Sequence, residues 1–143
     1  MTAAALVDTN ILVYRFDPRS ARKQKLAIDL LRQGVAEGRL RIPHQAIIEF
    51  MAVVTRPIKG TPPLLGGDDA RWEAESFLNQ FKVLYPNEAI VRLALRGMAT
   101  YQLSWFDAHL WAYAEYYGLP DLLSEDFQLD RFYGTVRAVN PLR

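Results

Sequence analysis

Short apolar runs alternate along the chain with longer segments in which apolar residues recur every three or four positions. The short runs predict buried strands, and the periodic segments predict helices with one apolar face. Five strands are expected, at positions 6–7, 40–43, 82–86, 121–126 and 135–141. Helices are expected from the cap Ser20 to Gly34 or Gly38, at 44–56 before Pro57, and at about 70–80, 87–101 and 104–117. Strands that alternate with helices predict a parallel sheet covered on both faces.

The 143 residues are expected to form a single domain, residues 1–143. Segment 59–69 is rich in glycine and proline and predicts a surface loop that is too short to separate two domains. The longest apolar stretch, 46–54, is interrupted by Glu49 and is less than half the ~20 residues that a membrane-spanning helix needs. The absence of cysteine excludes cysteine nucleophiles and Cys-ligated zinc, and it fits a cytoplasmic location without a membrane partner.

Two acids directly follow predicted strands, at the sheet edge where ligands of parallel α/β proteins bind. Asp8 follows the first strand in LVDTN, and Asp126 follows the fourth in LLSEDF. Each has a structural alternative, because aspartate also caps helices and closes turns. Thr9 and Asn10 are expected to orient the Asp8 carboxylate. If a helix cap is present here, Asn10 rather than Asp8 is expected to supply it. Residues 11–13 are expected to return the chain to the core.

Two further acids lie in predicted helices. Asp107 follows Ser104 by three positions, which fits a capping arrangement, but its helical neighbours at 103, 110, 111 and 114 are apolar and predict a buried face. A buried carboxylate needs a partner or a metal ion, and no lysine or arginine lies within one helical turn of Asp107. Glu49 lies on a small, mixed face of the helix after the second strand, so an exposed surface glutamate is an alternative.

Together the four acids favour a metal site. Carboxylates ~5 Å apart repel by ~3 kcal/mol per pair at an effective dielectric of ~20, so only a cation makes such a cluster favourable. Oxygen ligands without cysteine point to Mg²⁺ or Mn²⁺. The chain has 17 basic and 16 acidic residues, so a net charge of +5 remains outside the four acids, enough to attract a polyanion. Scattered, solvated charge is the alternative.

Other chemistries have weaker support. His44 and His109 lack a zinc-binding spacing and are expected to be structural or peripheral. The chain has no glycine-rich phosphate loop and no Gly-x-Ser-x-Gly elbow. Most aromatic residues of 105–117 are expected in the core, although Trp105 at the helix start is a candidate for stacking on a base.

Several motifs occur in a fixed order over nearly the full length of the chain: LVDTNILVY, Glu49 after the second strand, SWFDAHLWAYA, LLSEDF and the closing VNP. In this set the chain resembles the PIN-domain nucleases, especially the VapC-like toxins of bacterial and archaeal toxin–antitoxin pairs. The resemblance implies an α/β fold: a three-layer α/β/α sandwich with a central, mostly parallel sheet of about five short strands. It also implies an endoribonuclease in which Mg²⁺ or Mn²⁺ activates water and which leaves 5′-phosphate and 3′-hydroxyl ends.

The resemblance further implies roles for individual residues. The catalytic and metal-binding acids are expected to be Asp8, Glu49, Asp107 and Asp126. Asn10 would steady Asp8, Ser124 would supply the hydroxyl before the last acid, and Glu125 is an alternative ligand beside Asp126. Candidates for binding RNA are Arg15, Arg19, Arg22, Lys23 and Lys25.

The partners implied in the same way are an RNA substrate, a cognate antitoxin whose peptide enters the active groove, and a second copy of the chain in a homodimer. A catalytically silent PIN-like module that binds RNA or protein is an alternative, although all four acidic positions are filled. A magnesium-dependent phosphoacceptor usually has a lysine after its last strands, whereas no lysine follows Lys82. An aspartyl phosphatase needs a second acid where this chain has Asn10.

Overall fold

A six-stranded sheet organises the structure, a computed structural model that describes residues 3–128 and 131–143. The strands are β1 (Ala5–Val7), β2 (Leu40–Pro43), β3 (Lys82–Leu84), β4 (Asp121–Leu123), β5 (Phe132–Tyr133) and β6 (Val136–Val139). The helices are α1 (Thr9–Tyr14), α2 (Ala21–Glu37), α3 (His44–Val54), α4 (Gly67–Gln80), α5 (Glu88–Tyr101) and α6 (Trp105–Tyr116).

The strand order β3-β2-β1-β4-β6-β5 confirms the predicted parallel sheet. All neighbouring strands are parallel except β5, which pairs antiparallel with β6. From β1 the chain winds outward through β2 to β3, and it then returns to place β4 on the other side of β1. The winding direction therefore reverses between β1 and β4, and in such sheets a crevice opens beyond the carboxyl ends of those two strands.

Helices cover both faces of the sheet, which gives the expected three-layer α/β/α sandwich. Alternate strand residues point to opposite faces, so that Val7 packs with the core under α1 to α4, whereas Leu6 packs with the core under α5 and α6. Leu123 and Leu122 divide between the two cores in the same way. The central strands are buried on both sides, which explains why their sequences are almost entirely apolar.

The ends of α2 follow from local chemistry. The Ser20 hydroxyl accepts a hydrogen bond from the backbone N–H of Lys23, and the helix ends at Gly38, whose φ of 66° is left-handed. Gly34 lies inside the helix, where an added Cβ would collide with the Leu40 side chain. Of the two predicted ends, Gly38 is therefore the helix end, and Gly34 allows close packing on β2.

Several elements differ from the sequence prediction, and strands β3, β4 and β6 are shorter than the predicted segments. The sheet has six strands rather than about five, because the two-residue β5 is too short to give a periodic signal. Helix α1 has only six residues and was not predicted for the same reason. Residues 11–13 enter the core as part of this helix. Helix α4 begins three residues before the expected position 70. Within the described ranges, no helix is long and apolar enough to cross a membrane.

Candidate active site

A cavity of about 320 Å³ opens at the carboxyl edge of the sheet, where the winding direction reverses between β1 and β4. Asp8 follows β1, Asp126 lies just beyond β4, and two helices supply Glu49 and Asp107. All four predicted acids line this cavity. The structure therefore brings together side chains that are separated by up to 118 positions in the sequence.

Asp8 lines the cavity and is only 3% exposed. Its Oδ1 accepts from the backbone N–H of Thr9 at 2.6 Å, and its Oδ2 accepts from the Ser124 hydroxyl at 2.6 Å. Asp8 is the N-cap of α1, so the prediction that left capping to Asn10 is wrong. The cap bond occupies one carboxylate oxygen and fixes the orientation of the other.

The cavity is electrostatically unfavourable for anionic side chains. Burial raises the pKa of Asp8 to about 7, the hydrogen bonds from Ser124 and Thr9 act against this rise, and the charges of Asp126 and Asp107 add to it. Burial also raises the pKa of Asp107, and the charges of Asp126 and Glu49 add to that rise. The acids are thus close enough to disfavour one another's ionised forms.

Two neutral side chains hold Glu49. The Thr9 hydroxyl donates to Oε2 at 2.6 Å, and the Gln45 amide donates to Oε1 at 3.0 Å. Gln45 lies one helical turn before Glu49 on α3, and its amide also donates to the backbone carbonyl of Phe106 at 3.2 Å. Glu49 is therefore partly buried and directed at the cavity, not a freely solvated surface glutamate.

Asp107 lies in the first turn of α6, which begins beside the cavity. Its backbone N–H donates to the hydroxyl of Ser104, the helix cap, at 3.2 Å. The side chain is half-buried, less than its apolar helical neighbours predict. This cap accounts for the three-residue spacing of Ser104 and Asp107, because the donor is the backbone N–H of Asp107. The Asp107 carboxylate lies at the cavity wall.

Asn10 connects the two strand-end acids. Its Nδ2 donates to Asp126 Oδ2 at 3.0 Å, with longer contacts to the Ser124 hydroxyl at 3.4 Å and Asp8 Oδ2 at 3.5 Å. Ser124 also accepts from the backbone N–H of Asp126 at 3.0 Å. Asn10 therefore donates mainly to Asp126 rather than to Asp8, and Ser124 contacts both acids.

Glu125 lines the same cavity, but a small hydrogen-bond network of its own engages its carboxylate. It accepts from the Tyr14 hydroxyl at 2.7 Å and from Lys23 Nζ at 2.8 Å. Its charge is thereby paired, which favours Asp126 over Glu125 as the fourth acid of the cluster.

The basic residues predicted to bind RNA lie in different surroundings. Arg19 lines the acid cavity, whereas Arg15 lines a separate cavity with α2 and packs over the Phe16 ring. Arg22 donates to the Leu142 carbonyl at 2.7 Å, and Lys25 pairs with Asp29 in the next turn of α2.

Sequence reasoning missed two residues of the site. Gln45 is a polar residue one helical turn before Glu49, but that helix face has a mixed composition, so the sequence did not indicate that Gln45 binds Glu49. Asp17, which is 5% exposed, holds Arg19 at the cavity. The Asp-Pro-Arg sequence from 17 to 19 is a turn signal from which this pairing could have been predicted.

The remaining predicted residues lie at the periphery. His109 packs edge-on against Trp105, with ring centroids 4.1 Å apart, and His44 packs against Tyr85. Both histidines and Trp105 line a neighbouring apolar cavity. They do not line the acid cavity.

The donor atoms of the site fit a hard cation. All of the candidate ligands are oxygens, and Asn10 Oδ1 is a buried acceptor without a hydrogen-bond partner among the described residues. Burial is the main cause of the raised pKa values of Asp8 and Asp107, and a cation would offset the mutual repulsion that adds to it. Within residues 3–128 and 131–143, however, no three acidic or histidine side chains are grouped closely enough to hold one ion. Glu49 and Asp126 instead accept hydrogen bonds from Thr9 and Asn10.

Comparisons with known proteins agree with this geometry. The model of the PIN domain family matches residues 5–134. A search of curated protein sequences gave no match.

Solved structures of toxin–antitoxin proteins have similar folds. A toxin–antitoxin complex from Klebsiella pneumoniae is 18% identical with a TM-score of 0.67, covering 96% of this chain and 98% of that chain. The Mycobacterium tuberculosis toxin VapC20, described as cleaving the sarcin–ricin loop, is 14% identical with a TM-score of 0.62, covering 83% and 87%. DNA-bound VapBC from Salmonella typhimurium is 12% identical with a TM-score of 0.68, covering 96% and 97%. At these identities the likeness establishes the fold.

Proposed function

Since the chain belongs to the PIN domain family, we propose that it is a metal-dependent endoribonuclease that hydrolyses RNA phosphodiester bonds, with residues 1–143 as one nuclease domain. The observation that carries the proposal is the convergence of Asp8, Glu49, Asp107 and Asp126 on one cavity at the switch point of the sheet. Four acids in one cavity would destabilise the fold without a compensating role, because like charges repel.

The proposed cofactor is Mg²⁺ or Mn²⁺, with the carboxylates of Asp8, Glu49, Asp107 and Asp126 as the candidate ligands. When bound in such a site, the ion lowers the pKa of a coordinated water and stabilises negative charge on the departing oxygen of the phosphodiester.

The contribution of the protein is to hold the acids in place. Ser124 donates to Asp8, Thr9 donates to Glu49, and Asn10 donates to Asp126. Neutral donors are suited to this task, because they orient a carboxylate without cancelling its charge. A lysine or arginine at the same places would compete with the cation.

We further propose that the protein is the toxin of a toxin–antitoxin pair and works in the reducing cytoplasm, which a chain without cysteine fits. The supporting observation is the similarity to toxin–antitoxin structures over nearly the whole length of both chains. A cognate antitoxin and a homodimer are the proposed partners.

The test is cleavage of structured RNA by the purified protein with Mg²⁺ or Mn²⁺. We expect cleavage that EDTA stops and that Asp8→Asn removes while the circular dichroism spectrum is unchanged. Asp69→Asn is the matched control, because Asp69 is an exposed aspartate in the first turn of α4 and does not line the cavity. Equal cleavage by the wild type and Asp8→Asn would refute the proposal.

A further inference from the structure

Arg19 is the single basic side chain among the described residues that line the acid cavity. The acids that line the same cavity are Asp8, Asp17, Glu49, Asp107, Glu125 and Asp126. An RNA strand would bring further negative charge to this cavity. A fixed positive group there would attract the strand and offset part of the repulsion from the acids.

Asp17 holds the Arg19 guanidinium by its edge. Arg19 Nε donates to Asp17 Oδ1 at 2.8 Å, and Arg19 Nη2 donates to Oδ2 at 2.7 Å. The Asp17 side chain is 7% exposed, whereas that of Arg19 is 57% exposed. The carboxylate is therefore a buried anchor, and the guanidinium is the exposed part of the pair. Arg19 lies between the acid cavity and a neighbouring cavity that residues 58 and 61–64 line.

The local sequence fixes this pair before any ligand arrives. Asp17 Oδ1 also accepts from the backbone N–H of Arg19 at 3.0 Å, which closes a turn of the kind that aspartate favours. Pro18 stands between the two residues and restricts the backbone of the turn. The N–H of Asp17 donates to the Tyr14 carbonyl at 3.2 Å, so the turn is tied to the end of α1. A group that is ordered in advance loses less entropy on binding.

One edge of the guanidinium is left over. Asp17 engages Nε and Nη2, and Nη1 has no hydrogen-bond partner within the described part of the chain. A guanidinium can bind two planar or tetrahedral anions on different edges, which a lysine ammonium cannot do with the same geometry. Lys23 and Arg22 differ in position, because neither lines the acid cavity, and they are engaged by Glu125 and by the Leu142 carbonyl.

We propose that Arg19 binds a backbone phosphate of the RNA at this cavity, and that Asp17 is the positioning residue that holds its guanidinium toward the strand. The proposal rests on the proposed function for the identity of the polyanion. Asp17 is not a catalytic residue, because it acts through Arg19.

The experiment measures the affinity of a short labelled single-stranded oligoribonucleotide in EDTA, by fluorescence anisotropy at several salt concentrations. Arg19→Met should weaken binding about tenfold, since one charge-assisted contact is lost. It should also lower the slope of log affinity against log salt by about 0.7, the value for one phosphate contact on a single strand. Arg92→Met is the matched control, because Arg92 is also an exposed arginine that donates through Nε to an acid, Glu88, but lies on α5. It should change affinity less than about twofold.

Two conservative variants separate positioning from net charge. Asp17→Asn removes a negative charge, which by itself would strengthen binding to a polyanion, but loss of the anchor should weaken binding about threefold. Arg19→Lys keeps the charge and loses the planar fork, and it should weaken binding by a similar factor of about three. Melting temperatures show whether each variant is folded. Because Arg19 is exposed, Arg19→Lys tests the proposal even if Asp17→Asn does not fold.

Cleavage assays on the same variants keep this inference apart from the proposed function. An increase in KM with kcat retained for Arg19→Lys and Asp17→Asn supports the positioning role. Wild-type affinity and KM in Arg19→Lys and Arg19→Met would overturn the inference, even if Asp8→Asn had lost cleavage and the nuclease assignment stood. Binding that depends on Arg19 in a protein that cleaves no RNA would support the phosphate site and refute the nuclease.

Discussion

At the scale of single residues, the candidate site depends on one buried hydroxyl that serves both strand ends. Ser124 is 1% exposed, donates to Asp8 and accepts from the backbone N–H of Asp126. The hydrogen bond to Asp8 lowers the pKa of that carboxyl against the effect of burial. The hydroxyl therefore stabilises the ionised form that a cation would need.

Ser124→Ala should consequently weaken both stability and metal binding. We expect a loss of about 1–3 kcal/mol in the free energy of unfolding, because a buried carboxylate loses a donor. Urea unfolding and calorimetric titration with Mn²⁺ measure the two effects. Ser124→Thr is the control, since it keeps the hydroxyl, and equal behaviour of the alanine and threonine variants would contradict the assigned role.

The Asp17–Arg19 pair should give stability a specific dependence on pH. The hydrogen bond from Arg19 holds the pKa of Asp17 below its ordinary value, so the folded protein binds the proton less readily than the unfolded chain. The stability from this pair is therefore present above the ordinary aspartate pKa of about 4 and is lost as the pH falls through the lower folded value. Its size should be small, since Arg19 is largely exposed and solvent screens the pair.

Melting curves of the wild type and Asp17→Asn between neutral and acidic pH check this dependence. The wild type should be the more stable at neutral pH, and the difference should shrink below about pH 4. A difference that grew on acidification would have the wrong sign for a carboxylate with a lowered pKa.

At the scale of elements, the long periodic segments were predictable from the sequence, whereas helix α1 and strand β5 were not. The cap at Ser20, the strand 40–43 and the cap at Ser104 follow from strong local signals. Helix α1 has six residues and strand β5 has two, so neither completes enough periods to be recognised. The site was predictable where acids follow strands, but the pairing of Thr9 with Glu49 joins positions 40 apart and needs the tertiary structure.

The packing of α5 on α6 gives a prediction at this scale. An added Cβ at Gly97 would lie 2.7 Å from ring atoms of Trp111, whose Nε1 donates to the Tyr133 carbonyl at 2.8 Å. Gly97→Ala should destabilise the protein by about 1–3 kcal/mol, because the clash outweighs a helix-propensity gain of about 1 kcal/mol. Urea unfolding measures the change. Gly67→Ala is the control, as a Cβ there meets only Arg71 at an ordinary 3.4 Å, and an equal effect of both changes would contradict the packing argument.

At the scale of the whole molecule, the order of the strands creates the site. Because β4 pairs with β1 and not with β3, the residues after both strands share one crevice. Helices from opposite faces of the sheet then meet there, with Glu49 from α3 and Asp107 from α6. The four acids come from different segments of the chain. The electrostatic cost of bringing them together therefore lowers the stability of the whole fold.

That cost should make the stability of the whole protein respond to a divalent cation. Millimolar Mn²⁺ should raise the melting temperature of the wild type, since a ligand that binds only the folded state stabilises it by RT ln(1 + [L]/Kd), about 3 kcal/mol at a hundredfold excess over Kd. For a chain of 143 residues this corresponds to a rise of about 10 °C. Asp107→Asn should respond less, and Asp69→Asn should respond like the wild type.

The response should also decline with acidity. The pKa of Asp8 is raised to about 7, and a protonated carboxyl is a poor ligand, so the shift produced by the same Mn²⁺ concentration should be smaller at pH 5.5 than at pH 8. Differential scanning fluorimetry with and without EDTA measures both effects. Equal shifts in the wild type and Asp107→Asn at both pH values would show that the ion binds elsewhere, and the proposed metal-binding role of the four acids would then be refuted.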